Sequence, residues 1–269
     1  MPVERITSAQ NAGIKRVARL RTRKSRDARG LTIVEGVREV RQALRAGLKL
    51  HMAYICREGT YHCPDDLLAE LDAARIKIID ASCVVYDKIA YGDRTEGVLA
   101  LVEQPVRTLP DLKLSARPFI VVMESVEKPG NLGAVLRTCD GAGVEALLVC
   151  DERTDPYNPN IVRASLGAAF TVPMVTCTGK EAFDFLSVRQ IPSFAAVVQA
   201  TENYFEKDMR GACAIVLGSE QEGLSDFWRR SATEKVRIPM SGKVDSLNVS
   251  VSAAIMIYEA VRQRSSSRA

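Results

Sequence analysis

Apolar and polar positions fall into short apolar runs separated by stretches with helical spacing. Leu31–Val34 reads as a short strand. Val37, Val40 and Leu44 recur at helical spacing and Gly47 is a stop, so Val37–Ala46 reads as a helix. Met52–Cys56 and Ile76–Ile79 are strand-like, with helix-like Asp65–Ala74 between them behind Pro64, and Val98–Val102 closes the series. Ser8–Leu20 has a helical pattern. The alternation predicts a compact α/β unit over residues 1–105. Residues 106–118 lack periodicity. With Pro105 before them and Pro110 and Pro118 among polar residues, they have the composition of a linker.

The second half carries stronger signals. Phe119–Met123, Ala146–Cys150, Val172–Val175, Phe194–Val198, Cys213–Leu217 and Val236–Met240 read as strands. Asn131–Gly143, Pro159–Phe170, Lys180–Arg189, Gly223–Arg230 and Asn248–Arg262 read as helices. Runs rich in Val, Ile and Leu that alternate with helices indicate a mostly parallel sheet covered on both faces. Residues 119–265 are therefore a second α/β domain. The Ser/Arg-rich stretch after Gln263, and residues 266–269 in particular, reads as a disordered tail.

The 269 residues suffice for one large domain or two ordinary ones, and 46% hydrophobic with 26% charged residues is the composition of a globular protein in water. No apolar run approaches a membrane span, and no apolar signal core opens the chain, so a cytoplasmic location is expected. The seven cysteines are scattered and read as reduced thiols. Cys56, His62 and Cys63 lack paired zinc-ligand spacing, so no metal is expected. Net charge is only +4, but Lys15, Arg16, Arg19, Arg21, Arg23, Lys24, Arg26 and Arg29 face the single acid Asp27. Such a cluster fits a nucleic-acid surface, where each cation neutralises a phosphate; a solvated helix face is the alternative.

Ligands of parallel α/β sheets bind beyond the carboxyl ends of the strands. Three segments there draw notice. After Phe119–Met123 comes a turn with Gly130 and Gly133, then Asn131, a possible helix cap, and Arg137. The apolar neighbours of Arg137 suggest burial, and a buried guanidinium needs an anionic partner. After Cys213–Leu217 comes Gly218-Ser-Glu220-Gln-Glu-Gly223-Leu. Its spacing approaches that of a phosphate loop, but Leu224 and Ser225 stand where Lys and Ser/Thr are required, which excludes nucleoside triphosphate binding. Asp140-Gly-Ala-Gly143 closes a helix and is no dinucleotide fingerprint. The third segment is Ile238–Asn248, where Ser246 and Asn248 flank Leu247 at the start of the last helix.

Asn131-x-Gly-Ala-x-x-Arg137-Thr, Ile-Val-Leu-Gly218-Ser-Glu220-x-x-Gly223-Leu and Ile238-Pro-Met-x-Gly-x-x-x-Ser246-Leu-Asn248-Val-Ser-Val together resemble the three motifs of the SpoU (TrmH-like) RNA ribose 2′-O-methyltransferases. The resemblance spans about residues 118–262. The N-terminal pattern, Ile6-Thr-Ser-x-Gln-Asn11, the basic run and Ile33-Val-Glu35-Gly36-x-Arg38-x-Val, is similar to the L30e-like substrate-binding domain fused in front of such enzymes. The resemblance implies a SPOUT fold, a parallel sheet with a deep trefoil knot, and S-adenosylmethionine as cofactor. It implies cofactor contacts at Leu217, Gly218, Ile238, Met240 and Leu247, with Phe194–Ala196, Ala195 at its centre, adding to the pocket. Catalytic or substrate contacts fall on Asn131, Arg137, Glu220, Ser246 and Asn248. A homodimer with its site near the subunit interface is implied, and so is RNA binding by Lys15, Arg16, Arg19, Arg21, Arg23, Lys24, Arg26 and Arg38.

Methyl transfer from a sulfonium is an in-line displacement that needs alignment and an activated hydroxyl, without metal or covalent intermediate. The family assigns activation of the 2′-hydroxyl to Arg137. A neutral Arg137 in a desolvated site is one version. A cationic Arg137 that binds phosphate and stabilises a developing alkoxide is the other, and guanidinium basicity favours it. Structured ribosomal RNA is the expected partner ahead of transfer RNA. A resistance methyltransferase shares this layout, and a non-catalytic RNA-binding protein is the alternative from another class.

Overall fold

The computed structural model describes residues 4–92 and 95–266. The chain forms two compact units, Met1–Pro105 with Tyr157–Thr171, and Val106–Pro156 with Val172–Ala269.

In the first unit the elements run β1 (Glu4–Ile6), α1 (Ala12–Arg19), α2 (Arg23–Asp27), β2 (Leu31–Glu35), α3 (Val37–Arg45), β3 (Leu50–Ile55), α4 (Asp65–Ala73), β4 (Ile78–Ala81), α5 (Cys83–Ile89) and β5 (Val98–Glu103). The sheet order is β1-β4-β3-β5-β2; β4 is parallel to β1 and β3, while β5 is antiparallel to β3 and β2. Ile14 and Val17 of α1 and Val85, Tyr86 and Ile89 of α5 pack on Ile33, Tyr54, Ile79 and Leu99 of the sheet. The sequence pattern reveals neither β1, only three residues long, nor α5, whose Cys-Val-Val-Tyr start has no helical periodicity.

The second unit opens with β6 (Phe119–Glu124), α6 (Pro129–Ala142) and β7 (Ala146–Cys150). The expected single helix over Pro159–Phe170 is two, α7 (Pro159–Ala164) and α8 (Ala168–Thr171). Leu166 and Gly167 take φ of 55° and 85° between them and break the helix. Both belong to the first unit, where a Cβ on Gly167 would lie 2.8 Å from the Gln42 Cβ and the Thr32 hydroxyl donates to the Tyr157 carbonyl at 2.7 Å. Then follow β8 (Met174–Cys177), α9 (Gly179–Val188), β9 (Ser193–Ala196), β10 (Glu202–Asn203), β11 (Cys213–Leu217), α10 (Asp226–Ser231), β12 (Glu234–Arg237) and α11 (Val249–Ser266).

Seven strands lie in the order β10-β12-β9-β11-β6-β7-β8, all pairings parallel. The inner strands read as continuous apolar runs because both faces are covered. Ala182, Phe185 and Leu186 of α9 and Trp228 of α10 bury one face, on Ile120, Val122, Leu148 and Val216. On the other, α11 packs against α6 and β11. The order continues past Arg262: the Gln263 amide donates to the Lys207 carbonyl at 2.9 Å and Arg264 donates to the Gly211 carbonyl at 2.6 Å. Ser266 closes α11, and residues 267–269, with the disorder expected of them, lie outside the described residues.

Candidate active site

The carboxyl ends of β9, β11 and β12 open onto a cleft of about 850 Å³, within the size range of cofactor sites. Three backbone segments wall it, Leu217–Leu224, Val236–Met240 and Val244–Val249, with Ala196–Gln199 at one side. Leu217, Gly218, Ile238, Met240 and Leu247 all line it, as do Glu220, Ser246 and Asn248. Ala195 does not. It is fully buried in the core beneath, and its neighbour Ala196 takes the lining position. Successive strand residues face opposite sides, so a one-residue slip decides which alanine is seen.

The loop after β11 is drawn tight. Ser219 and Gly223 exchange backbone hydrogen bonds of 3.1 Å each, Gly223 has φ 68°, and the Ser219 hydroxyl accepts from the Glu222 amide at 3.1 Å. Gly218 passes so close beneath this turn that an ideal Cβ would lie 2.1 Å from the Gly223 carbonyl carbon. Glu220 rides at the tip.

Three segments distant in sequence meet there. The Asn131 amide nitrogen donates to Glu220, and the Asn248 amide nitrogen donates to the Asn131 oxygen at 3.2 Å. The Asn248 oxygen accepts from the Ser250 N–H at 2.9 Å and the Ser250 hydroxyl at 2.6 Å. Asn248 thus caps α11 and lines the cleft as well. Asn131 is no cap. Pro129 occupies the first helical position and Lys128 precedes it as N-cap, which leaves the Asn131 amide free to bridge Glu220 and Asn248.

Arg137 stands apart from this group, and its expected burial is wrong. Val135, Leu136 and Cys139 are fully buried, but Arg137 is exposed, with no hydrogen bond or ion pair among the described residues. Six residues along α6 from Asn131, it sits about 120° round the helix and about 9 Å further along. Lys128, Val198, Gln199, Gln221 and Arg229, which no sequence motif marks, also line the cleft. For Lys128, Val198, Gln199 and Gln221 the signal is position, a few residues past the ends of β6, β9 and β11; Arg229 lies on α10 and carries no such signal.

In the first unit Lys15, Arg16, Arg19, Arg21, Arg23, Lys24 and Arg38 are exposed, Arg23 paired to Asp27 at 3.4 Å. Arg26 is the exception. It is 1% exposed and its guanidinium donates to the carbonyls of Leu20 and Arg21 at 2.8 and 2.9 Å, which closes the end of α1. Its charge serves the fold. Among the described residues, no group of three or more His, Cys, Asp or Glu is placed to hold a metal, and no helix is long and apolar enough to cross a membrane.

Residues 118–258 match the SpoU rRNA methylase family. The chain belongs to that family. Residues 11–100 match the MRM3-like substrate binding domain. A 23S rRNA (guanosine-2′-O-)-methyltransferase from Pectobacterium atrosepticum is 35% identical over 74% of this chain and 84% of its own length. A crystal structure of an RNA 2′-O ribose methyltransferase matches with TM-score 0.84 and 41% identity over 97% of this chain and 99% of its own. The AdoMet-bound rRNA methyltransferase of Sinorhizobium meliloti matches with TM-score 0.88 and 27% identity, over 97% and 98% of the two chains. The second unit is a SPOUT domain, the chain is an RNA 2′-O-methyltransferase, and S-adenosylmethionine is its methyl donor. The cleft suits that donor. Leu217, Ile238, Met240 and Leu247 offer apolar surface, the loops offer backbone donors and acceptors, and the bare Gly218 lets the turn close.

Proposed function

We propose that this chain transfers a methyl group to a ribose 2′-hydroxyl of 23S-type ribosomal RNA in the cytoplasm. The observation that carries the reading is the hydrogen-bonded series Glu220–Asn131–Asn248, assembled from the turn after β11, the first turn of α6 and the start of α11, with Glu220 and Asn248 lining the cleft. When bound, S-adenosylmethionine supplies a methyl group already activated on a sulfonium. The chain's part is to hold the donor and align the acceptor. Leu217, Gly218, Ile238, Met240 and Leu247 hold the donor. Glu220 fixes the Asn131 amide, and Asn131 with Ser246 and Asn248 presents neutral hydrogen-bonding groups to the ribose. Relatives named as 23S rRNA guanosine methyltransferases support ribosomal RNA as the substrate. The exposed cations of α1, α2 and Arg38 are the surface that takes its phosphates. Tritiated methyl transfer to 23S rRNA and to transfer RNA, then primer extension at low dNTP, tests this. Incorporation into transfer RNA alone would overturn it.

The working form in this reading is a homodimer. α11 is apolar on two faces: one packs on α6, while the other leaves Val251 and Tyr258 46% and 51% exposed. An exposed apolar stripe on a helix face marks a surface that a partner can cover. Beside this stripe α6 presents Arg137, turned from its own Asn131. In the dimer Arg137 reaches the partner's site, binds phosphate there as a cation and stabilises the developing alkoxide. Light scattering gives the assembly state. Mixed dimers of Arg137→Ala and Asn248→Ala subunits should recover activity, and inactive mixtures would refute the exchange.

A further inference from the structure

One charged group outside the motifs ties together two of the segments that carry the site. Arg153 lies in the loop after β7. Its Nη1 meets Glu127 Oε1 at 2.6 Å and its Nη2 meets Glu222 Oε2 at 3.0 Å. The two ends of one guanidinium thus hold two different loops. Glu127 precedes Lys128, the N-cap of α6, and lies four residues before Asn131. Glu222 lies two residues past Glu220, in the turn closed by Ser219 and Gly223. The Asn131–Glu220 contact joins the same two segments, so the two sets of contacts close a ring that includes the start of α6 and the turn.

We propose that Arg153 is a positioning residue for methyl transfer, which fixes the separation of the α6 start and the Ser219–Gly223 turn so that Asn131 and Glu220 stay engaged. The proposal rests on the assignment of Asn131 and Glu220 to the reacting site. The side chains of Arg153, Glu127 and Glu222 are 46%, 34% and 68% exposed, so these ion pairs add little to global stability. Their value is geometric. A planar guanidinium with two fixed donor edges sets both the distance and the angle of the two loops, which a Lys point charge does not. Misplacement of a reacting group by about 1 Å can cost on the order of a hundredfold in rate.

The competing use of an exposed arginine here is direct contact with an RNA phosphate, and the two make opposite predictions. Arg153→Gln and the double variant Glu127→Gln/Glu222→Gln are assayed as full-length protein at saturating RNA and S-adenosylmethionine, with thermal unfolding and RNA affinity measured beside them. The brace predicts that both lower kcat by about tenfold, with RNA affinity and unfolding temperature near those of the parent and only partial recovery in Arg153→Lys. It is overturned if Arg153→Gln instead weakens RNA binding and lowers its salt dependence by about one ion, while the double variant keeps full kcat. It is also overturned if both variants turn over like the parent. Asn131→Ala and Glu220→Ala run alongside as controls. Activity there would sink the site assignment itself, whereas their inactivity beside an active Arg153→Gln sinks only the brace.

Discussion

Gly218→Ala places one methyl group under the turn that walls the donor cleft. Gly218 does not have a positive φ, so the change costs nothing in backbone conformation; the whole effect is steric. The ideal Cβ would stand 2.1 and 2.2 Å from the carbon and oxygen of the Gly223 carbonyl and 2.3 Å from the Leu224 nitrogen. All three are backbone atoms, which cannot rotate away as a side-chain tip can. Carbon atoms rest at about 3.5–4.0 Å, so the turn must retreat by more than about 1 Å. Retreat is resisted by the Ser219–Gly223 bonds, the buried Leu224, and the Ser225 amide and hydroxyl held by Glu124 at 2.8 and 2.7 Å. Overpacking of this kind costs about 1–3 kcal/mol. The same displacement moves Glu220 and opens the donor site, so S-adenosylmethionine affinity should fall by at least about tenfold, or ~1.4 kcal/mol. Calorimetry with S-adenosylmethionine and thermal unfolding read the two effects. Gly130→Ala is the control, since no atom lies within 4 Å of its Cβ and it stands in the first turn of α6; it should bind the donor as the parent does and be stabilised by a few tenths of a kcal/mol. Parental donor affinity and stability in Gly218→Ala would refute the claim that close approach at this glycine shapes the cleft.

Asn131→Ala removes the link between Glu220 and Asn248 and should lower kcat by on the order of a hundredfold with little change in melting temperature; a single-turnover methyl-transfer assay decides. Arg26→Ala should destabilise the protein by about 2 kcal/mol, because it uncaps α1 and takes the donor from the buried Leu20 carbonyl and the part-buried Arg21 carbonyl, and a denaturant midpoint shift measures it. Arg16→Ala should leave that midpoint unchanged and reduce the salt dependence of RNA binding by about one ion. Burial pushes the thiols of Cys63 and Cys213 up to about 11, so both remain protonated below that pH. Iodoacetamide at pH 7.5 should spare them in the folded protein and label them once urea unfolds it, as peptide mass spectrometry would show.

The inner strands of the SPOUT domain were plain in the sequence because a parallel sheet covered on both faces demands uninterrupted apolar runs, and β11 coincides with its expected span, Cys213–Leu217; the two-residue β10 was not visible, and the strand expected over Val236–Met240 is Glu234–Arg237. Helix limits were less plain. Pro129 starts α6 two residues ahead of Asn131, and that shift changes the chemistry: an asparagine spent on a cap could not have bridged two loops. The break at Leu166–Gly167 and the place of Tyr157–Thr171 beside Gln42 and Thr32 depend on contacts far apart in the chain, which local periodicity does not encode. The motifs likewise named Asn131, Glu220 and Asn248 but not the bonds among them.

Arg137 is the most instructive departure. Apolar neighbours in the sequence suggest burial, yet helical geometry says which neighbours count. Val135, Leu136 and Cys139 lie on one side of α6, while Arg137, Asp140 and Gly141 lie on the other. A residue bound to act on its own chain's substrate would face Asn131, and Arg137 faces away. The outward side of α11 nearby shows the same logic, since Val251 and Tyr258 are apolar where a monomer would be polar. One arrangement answers both facts. A second copy laid on this face would cover the apolar stripe and carry Arg137 toward a cleft that is not its own. In the proposed homodimer the exposure of Arg137 is what would let it serve the partner's cleft, and the mixed-dimer assay is the measurement that decides it.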